Sequence, residues 1–168
     1  MKKYLPIGSL IRQELKAQER PIAWLARKVD YSGRDAEDHY SAVCKILKRN
    51  HIDSALLWSI SKVLKYDFFA RYSAFLREQL PGIAVKTPTE EVIDAERVPI
   101  GELILRELKR QERSISWLAE KTVYSHGSLC MTLKRDHIDT ALLLNISKVL
   151  EYDFFAYYNL KKSYLCRV

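Results

Sequence analysis

The sequence predicts an all-α protein that contains two tandem five-helix units. The chain repeats itself, its apolar residues recur at helical spacing, and helix-capping residues precede the repeated patterns. Residues 7–32 align without a gap on residues 100–125, and residues 44–73 align on residues 130–159, with roughly two thirds of the positions identical. We therefore interpret the chain as a duplication of one helical unit.

The two copies differ in length because the first copy carries an insertion. The alignment offset falls from 93 (7 to 100) to 86 (44 to 130), so seven extra residues lie within residues 33–40. We predict domain 1 at residues 1–80, with this insertion before its third helix, a polar linker at residues 81–99, and domain 2 at residues 100–168.

Helices 1 and 2 of each copy have recognisable starts. Pro6 and Pro99 stand where helix 1 begins, and Ser114 is predicted to N-cap helix 2 of the second copy. Pro21 takes that place in the first copy and offers no side-chain cap. The face that helix 1 buries is predicted from apolar residues at i, i+3, i+4 and i+8, which are Ile7, Leu10, Ile11, Leu15, Ile100, Leu103, Ile104 and Leu108.

Helix 3 is a short amphipathic segment that ends in a Lys-Arg pair in both copies. Only residues 122–125 separate it from helix 2 in the second copy, so we expect the two helices to cross steeply as a helix-turn-helix. The predicted inward-facing residues of helix 3 are Val43, Ile46, Leu47, Leu129 and Leu133.

Helices 4 and 5 are predicted from aspartates that precede apolar runs. Asp53 and Asp139 are placed to N-cap helix 4, and Asp67 and Asp153 to start helix 5. The copies diverge after this point, because Phe75-Leu76 of the first copy aligns with two lysines of the second. Since an exposed Phe-Leu pair needs cover, we expect it to pack against the other domain or a second chain.

The composition favours a soluble protein with an anionic partner. The net charge is +7, with 48% hydrophobic and 29% charged residues. Three cysteines without a C-x-x-C spacing favour neither a disulfide framework nor a zinc site, so no metal and no cofactor are predicted. Neither a signal peptide nor a membrane-spanning run is evident, and we expect a cytoplasmic protein.

Four motifs occur once in each copy. They are Ile-Gly-x-Leu-Ile at Ile7 and Ile100, Trp-Leu-Ala at Trp24 and Trp117, Lys-Arg-x-His-Ile-Asp at Lys48 and Lys134, and Ser-Lys-Val-Leu-x-Tyr-Asp-Phe-Phe at Ser61 and Ser147. On these motifs the chain resembles two tandem copies of the lambda-repressor/Cro-like, xenobiotic-response-element-type helix-turn-helix regulators. The residues of the motifs are most similar to those of a bacterial branch found in Bacteroidetes. The resemblance implies five-helix DNA-binding domains.

The resemblance also implies which side chains meet DNA. Helix 3 would lie in the major groove, with its first residues on base edges and the residues after it on phosphates. The implied base readers are His126, Ser128 and Met131 in the second copy, and Tyr40, Ser41 and Lys45 in the first. The implied phosphate contacts are Lys48, Arg49, Lys134 and Arg135.

The sequence departs from the family pattern at three places. The polar residue that usually starts helix 2 is replaced by Ile22 or Ile115, which removes one phosphate contact. The family often has Gly or Asn in the turn after helix 2, whereas the second copy has Val123, so we expect another turn shape there.

The insertion is the third departure. Seven residues are close to two helical turns, so Asp35 could N-cap a longer helix 3 and bring Glu37 and Asp38 towards the groove. Because carboxylates repel phosphates, we predict that the second copy is the better DNA reader. The first copy then positions the protein, dimerises or reads a different site.

Other paired residues have structural interpretations that we prefer. We interpret the tryptophans as core or helix-packing residues, the cysteines as half-buried fillers of helix 3, and the histidines as local loop residues: Trp24, Trp117, Cys44, Cys130, His51 and His137. The Lys-Arg pairs would also suit the negative end of a helix, but their place after helix 3 in both copies favours phosphate contact.

The predicted function is that of a non-enzymatic, sequence-specific DNA-binding transcriptional regulator acting as a pseudo-dimer and associated with the nucleoid. The predicted partner is double-stranded DNA; a homodimer is allowed, and no membrane or small-molecule ligand is predicted. The alternative is a protein-interaction module that kept the fold and lost DNA binding. The sequence shows no phosphate-binding loop, dinucleotide-binding motif or nucleophile motif, so no catalytic residue is assigned.

Overall fold

A computed structural model describes residues 4–29, 36–89 and 98–159. This part of the chain is helical, without β-strands, and its only β-type pairings are isolated bridges. None of its helices is long and apolar enough to cross a membrane. Its helices include α1 (Ile7–Ala17), α2 (Ile22–Lys28), α3 (Ala36–Ile46), α4 (Ser54–Leu64), α5 (Phe68–Gln79), α6 (Ile100–Arg110), α7 (Ile115–Thr122), α8 (His126–Leu133) and α9 (Thr140–Leu150).

Contacts divide the chain into two compact units. Unit 1 runs to Phe68 and includes Asp139–Ala141, and unit 2 begins at Phe69 and includes the rest. The helix α5 therefore belongs to unit 2 from its second residue onward, although it comes from the first copy of the sequence repeat. The domain boundaries proposed from the sequence stay a prediction.

Most of the predicted N-caps are confirmed. Asp53 accepts a hydrogen bond from the Ala55 backbone N–H at 2.9 Å, and Asp139 accepts one from the Ala141 N–H at 2.8 Å. Ser114 accepts from the Trp117 N–H at 3.1 Å, whereas Pro21 gives no side-chain cap. These caps satisfy backbone donors that the first turn of a helix leaves without an intrahelical partner.

The first helix of each copy packs closely against the end of helix 3. In unit 1, a Cβ at Gly8 would overlap the Leu47 carbonyl, and in unit 2 a Cβ at Gly101 would overlap the Leu133 carbonyl. The Arg12 guanidinium also donates to the Leu47 carbonyl at 2.8 Å. A glycine in each first helix is therefore what allows the backbones to approach.

The seven-residue insertion lengthens helix 3. The helix α3 has 11 residues whereas α8 has 8, and α3 starts at Ala36, four positions before Tyr40, which aligns with His126. The predicted N-terminal extension is confirmed. The proposed cap Asp35, together with the side chains of Glu37 and Asp38, lies outside the described residues.

The turn after α7 contradicts the expected change of shape. Val123 adopts a left-handed conformation, with φ 59° and ψ 35°, directly after the last residue of α7. The Tyr124 N–H donates to the Ala119 carbonyl at 3.0 Å, which closes the helix end in the usual left-handed manner. The turn geometry is therefore kept, and the β-branched side chain is strained in it.

The Phe-Leu pair is buried, and the Lys148 Nζ atom of the second copy lies 5.9 Å from the Phe75 ring centroid. Phe75 and Leu76 are buried, at 5% and 0% exposure. On the same helix, the rings of Phe69 and Tyr72 stack on those of Tyr158 and Phe155, with centroids 4.2 and 4.6 Å apart. The helix α5 thus buries its aromatic residues against the end of the second copy.

The fifth helix of the second copy starts later than predicted. Asp153 is fully buried and accepts hydrogen bonds from the Phe155 and Ala156 backbone N–H groups, at 3.1 and 3.2 Å. Residues 154–155 form a turn, and helical structure covers residues 156–159. The Ser73 hydroxyl donates to the Asp153 carboxylate at 3.0 Å, so this aspartate also fixes α5.

Candidate nucleic-acid interface

The candidate interface of unit 2 is formed by α7, residues 123–125 and α8. Ser125 N-caps α8, accepting from the Ser128 N–H at 3.2 Å, so the helix begins directly after the turn. Leu129 and Leu133 are buried, at 0% and 4% exposure, which fixes one side of α8 in the core. The opposite side of α8 is left for solvent.

All three candidate base readers of the second copy are exposed. His126 and Ser128 are exposed in the first turn of α8, and Met131 is 58% exposed one turn later. The Ser128 hydroxyl is 2.8 Å from the Ser125 hydroxyl, and the His126 Nε2 atom is 3.6 Å from the Cys130 sulfur. These local contacts hold both side chains at the start of the helix.

The Lys-Arg pair follows α8 immediately. Lys134 and Arg135 are exposed, and neither forms an ion pair with any described residue. The Arg135 N–H donates to the Thr132 carbonyl at 3.0 Å, which continues the helical turn. Both cations are therefore available to an anion in solution.

The first copy presents the corresponding residues in unit 1. Tyr40 is 48% exposed, and Ser41 and Lys45 are exposed on α3. Lys48 and Arg49 are exposed directly after this helix. A hydrogen bond with Cys44 raises the pKa of the Tyr40 phenol, which therefore stays neutral at physiological pH.

The described side chains of both candidate surfaces are mainly basic. Residues 20–29 and 39–50 contain six lysines and arginines and no acidic residue. Residues 113–137 contain four lysines and arginines, against Glu120 and Asp136. Either composition suits a polyanion.

The tryptophans lie at the helix surface and are not core residues. Trp24 and Trp117 are both half-buried, and the Arg20 and Arg113 guanidinium carbons lie 4.8 and 4.7 Å from their ring centroids. Of the two predicted roles, core or helix packing, the helix-packing role is the one compatible with half-burial and these cation–π contacts. The signal missed in the sequence is an arginine four residues before each tryptophan.

The local role predicted for His51 is also incomplete. Its Nδ1 atom lies 2.8 Å from the Asp139 carboxylate, 88 residues away in the sequence. Next to it, the Ile52 N–H donates to the Thr140 hydroxyl at 3.0 Å, and the Thr140 N–H donates to the Ile52 carbonyl at 2.8 Å. The loop before α4 therefore pairs with the start of α9 within unit 1, which the sequence pattern did not indicate.

No metal or disulfide chemistry is evident at these surfaces. Within residues 4–29, 36–89 and 98–159, no group of three His, Cys, Asp or Glu side chains could hold a metal ion. Cys44 and Cys130 are free and half-buried, which confirms their predicted burial. No protein-family model, curated protein or solved structure matches the chain.

Proposed function

We propose that the protein is a sequence-specific DNA-binding transcriptional regulator of the lambda-repressor/Cro-like class, with two unequal helix-turn-helix units acting as a pseudo-dimer in the bacterial cytoplasm. One observation carries the proposal: α8 is fixed in the core on one side and exposes His126, Ser128 and Met131 on the other, just before Lys134 and Arg135. The exposed residues of α3 repeat this arrangement.

The geometry of α8 suits the major groove. An α-helix with its side chains is about 10–12 Å in diameter, which matches the width of about 12 Å of that groove. His126 and Ser128 offer hydrogen bonds to base edges, and Met131 offers an apolar contact to a thymine methyl group. Lys134 and Arg135 contribute affinity without sequence preference, because phosphates are the same at every base pair.

Within unit 2, the aromatic contacts support a dimer-like organisation. Phe69 of the first copy aligns with Phe155 of the second, and Tyr72 aligns with Tyr158. The Phe69 ring stacks on that of Tyr158, and the Tyr72 ring stacks on that of Phe155. Such an exchange is the pattern of a two-fold contact. A pseudo-dimer reading two unlike half-sites would recognise an imperfect palindrome with a spacing of about 34 Å.

Selection of DNA from a random library by the full chain, followed by binding titrations at several salt concentrations, tests the proposal. We expect affinity to fall steeply with salt, and Lys134→Ala with Arg135→Ala to reduce the log–log salt slope by about 2, since each lost phosphate contact accounts for about 0.9. Lys62→Ala with Arg71→Ala removes the same charge outside the candidate surface and should change the slope less. Binding that is independent of salt would contradict the proposal.

The inequality of the two copies is tested in the same assay. The second copy is proposed as the better reader, so replacing Lys134 and Arg135 should weaken binding more than replacing Lys48 and Arg49. A larger loss from the first-copy pair would reverse the assignment.

A second candidate function is protein interaction through the same surface. Val123, Tyr124 and Met131 are exposed by 92%, 44% and 58%, and exposed apolar side chains are common in protein interfaces. Replacement of Tyr124 and Met131 by serine should then abolish capture of a protein partner. If the chain selects no DNA sequence and these variants lose a partner, the interaction function replaces DNA binding.

A further inference from the structure

Unit 2 contains a cavity of about 570 Å³ away from the candidate DNA surface residues. One wall is α6, and the other is the segment of residues 85–89 with Tyr152. The Lys86 N–H donates to the Glu151 carbonyl at 3.1 Å, and the Lys86 carbonyl accepts from the Asp153 N–H at 2.7 Å. These backbone hydrogen bonds fix the segment beside the cavity.

The polar lining of this cavity carries an excess of positive charge. Lys86, Arg106 and Arg110 line it, against the single carboxylate of Glu107. That carboxylate is already satisfied, because it accepts hydrogen bonds from Arg110 at 2.8 Å and from Gln111 at 2.6 Å. Glu107 therefore neutralises Arg110 and leaves two cationic side chains for a ligand.

Those two side chains are weakly engaged. Arg106 pairs with Glu102 at 3.2 Å, but both side chains are nearly half exposed, so water screens the pair. Lys86 forms no ion pair with any described residue. An incoming anion would therefore have little to displace.

The remaining lining combines apolar and hydroxyl-bearing side chains. Val85, Leu103 and Tyr152 supply carbon atoms to it, and Thr87 and Thr89 supply hydroxyl groups. A volume of this size is typical of small-molecule sites, in which apolar walls supply contact area and a few polar groups fix orientation. A bare inorganic anion would leave these apolar walls uncovered.

We propose that this cavity binds a small amphipathic carboxylate, whose charged end lies at Lys86 and Arg106 and whose hydrocarbon part packs against Val85, Leu103 and Tyr152. The site is independent of the proposed DNA function, because none of these residues belongs to the candidate DNA surface. A bound ligand would contact both α6 and the segment of residues 85–89. It would therefore hold this segment more firmly against α6.

Isothermal titration of the full chain with octanoate tests the site, with octanamide and inorganic phosphate as comparison probes. We expect saturable one-site binding of octanoate, with octanamide and phosphate each at least about tenfold weaker, because each lacks one of the two recognition elements. Lys86→Gln should weaken octanoate binding by about tenfold, since it removes a charge-assisted contact.

Lys109→Gln is the matched control, because Lys109 is exposed on α6 and does not line the cavity. The Lys109→Gln variant should bind octanoate with the same affinity as the unmodified protein. Circular dichroism establishes that both variants are folded. Equal affinities for octanoate and octanamide, an equal effect of both lysine variants, or no saturable binding would each overturn the proposal.

Discussion

Val123 is the residue whose backbone conformation least suits its side chain. Its φ of 59° is left-handed, and its side chain is 92% exposed, so no buried contact compensates for the strain. We predict that Val123→Asn raises the free energy of unfolding by about 1 kcal/mol, because asparagine tolerates this conformation. Urea unfolding measures the change.

Val123→Ala is the control for this prediction. Alanine removes the β-branch but keeps a Cβ, so most of the left-handed strain remains and the gain should be smaller. If Val123→Ala stabilises the protein as much as Val123→Asn does, strain in the left-handed backbone does not explain the gain in stability.

Glu107 is expected to give the protein an acid-sensitive contribution to stability. Burial opposes its ionisation, but hydrogen bonds from Arg110 and Gln111 outweigh burial and lower its pKa. Because the folded state binds this proton less tightly than the unfolded state, the stabilisation is present above the ordinary glutamate pKa of about 4.3 and is lost as pH falls through the folded-state value. Glu107→Gln should therefore reduce stability at pH 7, and the reduction should shrink as pH falls below the ordinary glutamate pKa.

Urea midpoints across this pH range check the prediction. Burial raises the pKa of Asp153, which acts in the opposite direction, so the comparison uses the difference between the unmodified protein and the variant. Glu102→Gln is the control, since that carboxylate is exposed. A constant difference between Glu107→Gln and the unmodified protein at every pH would contradict the assignment.

At the scale of the element, the close contact between α6 and α8 requires a glycine at position 101, because no Cβ fits there. We predict that Gly101→Ala destabilises the protein by about 2 kcal/mol, because its Cβ would overlap the Leu133 carbonyl and force the helices apart. Thermal or urea unfolding measures the loss. If α8 reads DNA as proposed, its displacement should also weaken binding of the full chain to DNA.

Gly127→Ala supplies the matched control within α8. A Cβ at Gly127 meets no atom within 4 Å, so alanine should raise helix stability by about 0.5 kcal/mol. A similar gain in stability from both substitutions would show that helix propensity, and not close packing, governs position 101.

The local features of these elements could be predicted from the sequence. The caps at Asp53, Ser114 and Asp139 depend on residues within three positions, so a short pattern is enough to find them. The burial of Leu129 and Leu133 likewise follows from helical spacing. The exposed candidates on α8 were found only through the family resemblance, because exposure alone does not distinguish a reader from any surface residue.

Contacts between distant residues could not be predicted in the same way. The ring of Phe69 stacks on that of Tyr158, and His51 contacts Asp139, and neither pair has a local pattern that connects its members. The Phe75-Leu76 pair indicated that a cover was needed but did not identify it. Topology decides such pairings, and topology depends on the summed packing of the whole chain.

At the scale of the whole molecule, the stacked aromatic pairs should couple the two copies energetically. We predict that Tyr72→Leu and Phe155→Leu each destabilise the protein by about 1–2 kcal/mol. In the double variant the losses should fall short of additivity by about 1 kcal/mol, because the first substitution already removes the ring contact. Urea unfolding of the four proteins gives the coupling energy.

The control cycle pairs Tyr72→Leu with Phe154→Leu. The Phe154 ring contact is with Tyr152, at 4.7 Å, so these two losses should be closer to additive. Full additivity in the Tyr72–Phe155 cycle would show that the stacked geometry adds nothing beyond burial.

The stacking of Phe69 on Tyr158 has a consequence for synthesis on the ribosome. The two residues are 89 positions apart, so at ribosomal elongation rates of about 5–20 residues per second, on the order of ten seconds pass between their additions to the nascent chain. During that interval the aromatic side of α5 has left the exit tunnel without its final partner. Nascent chains stalled before residue 158 should therefore bind a holding chaperone, and release it once the C-terminal residues emerge.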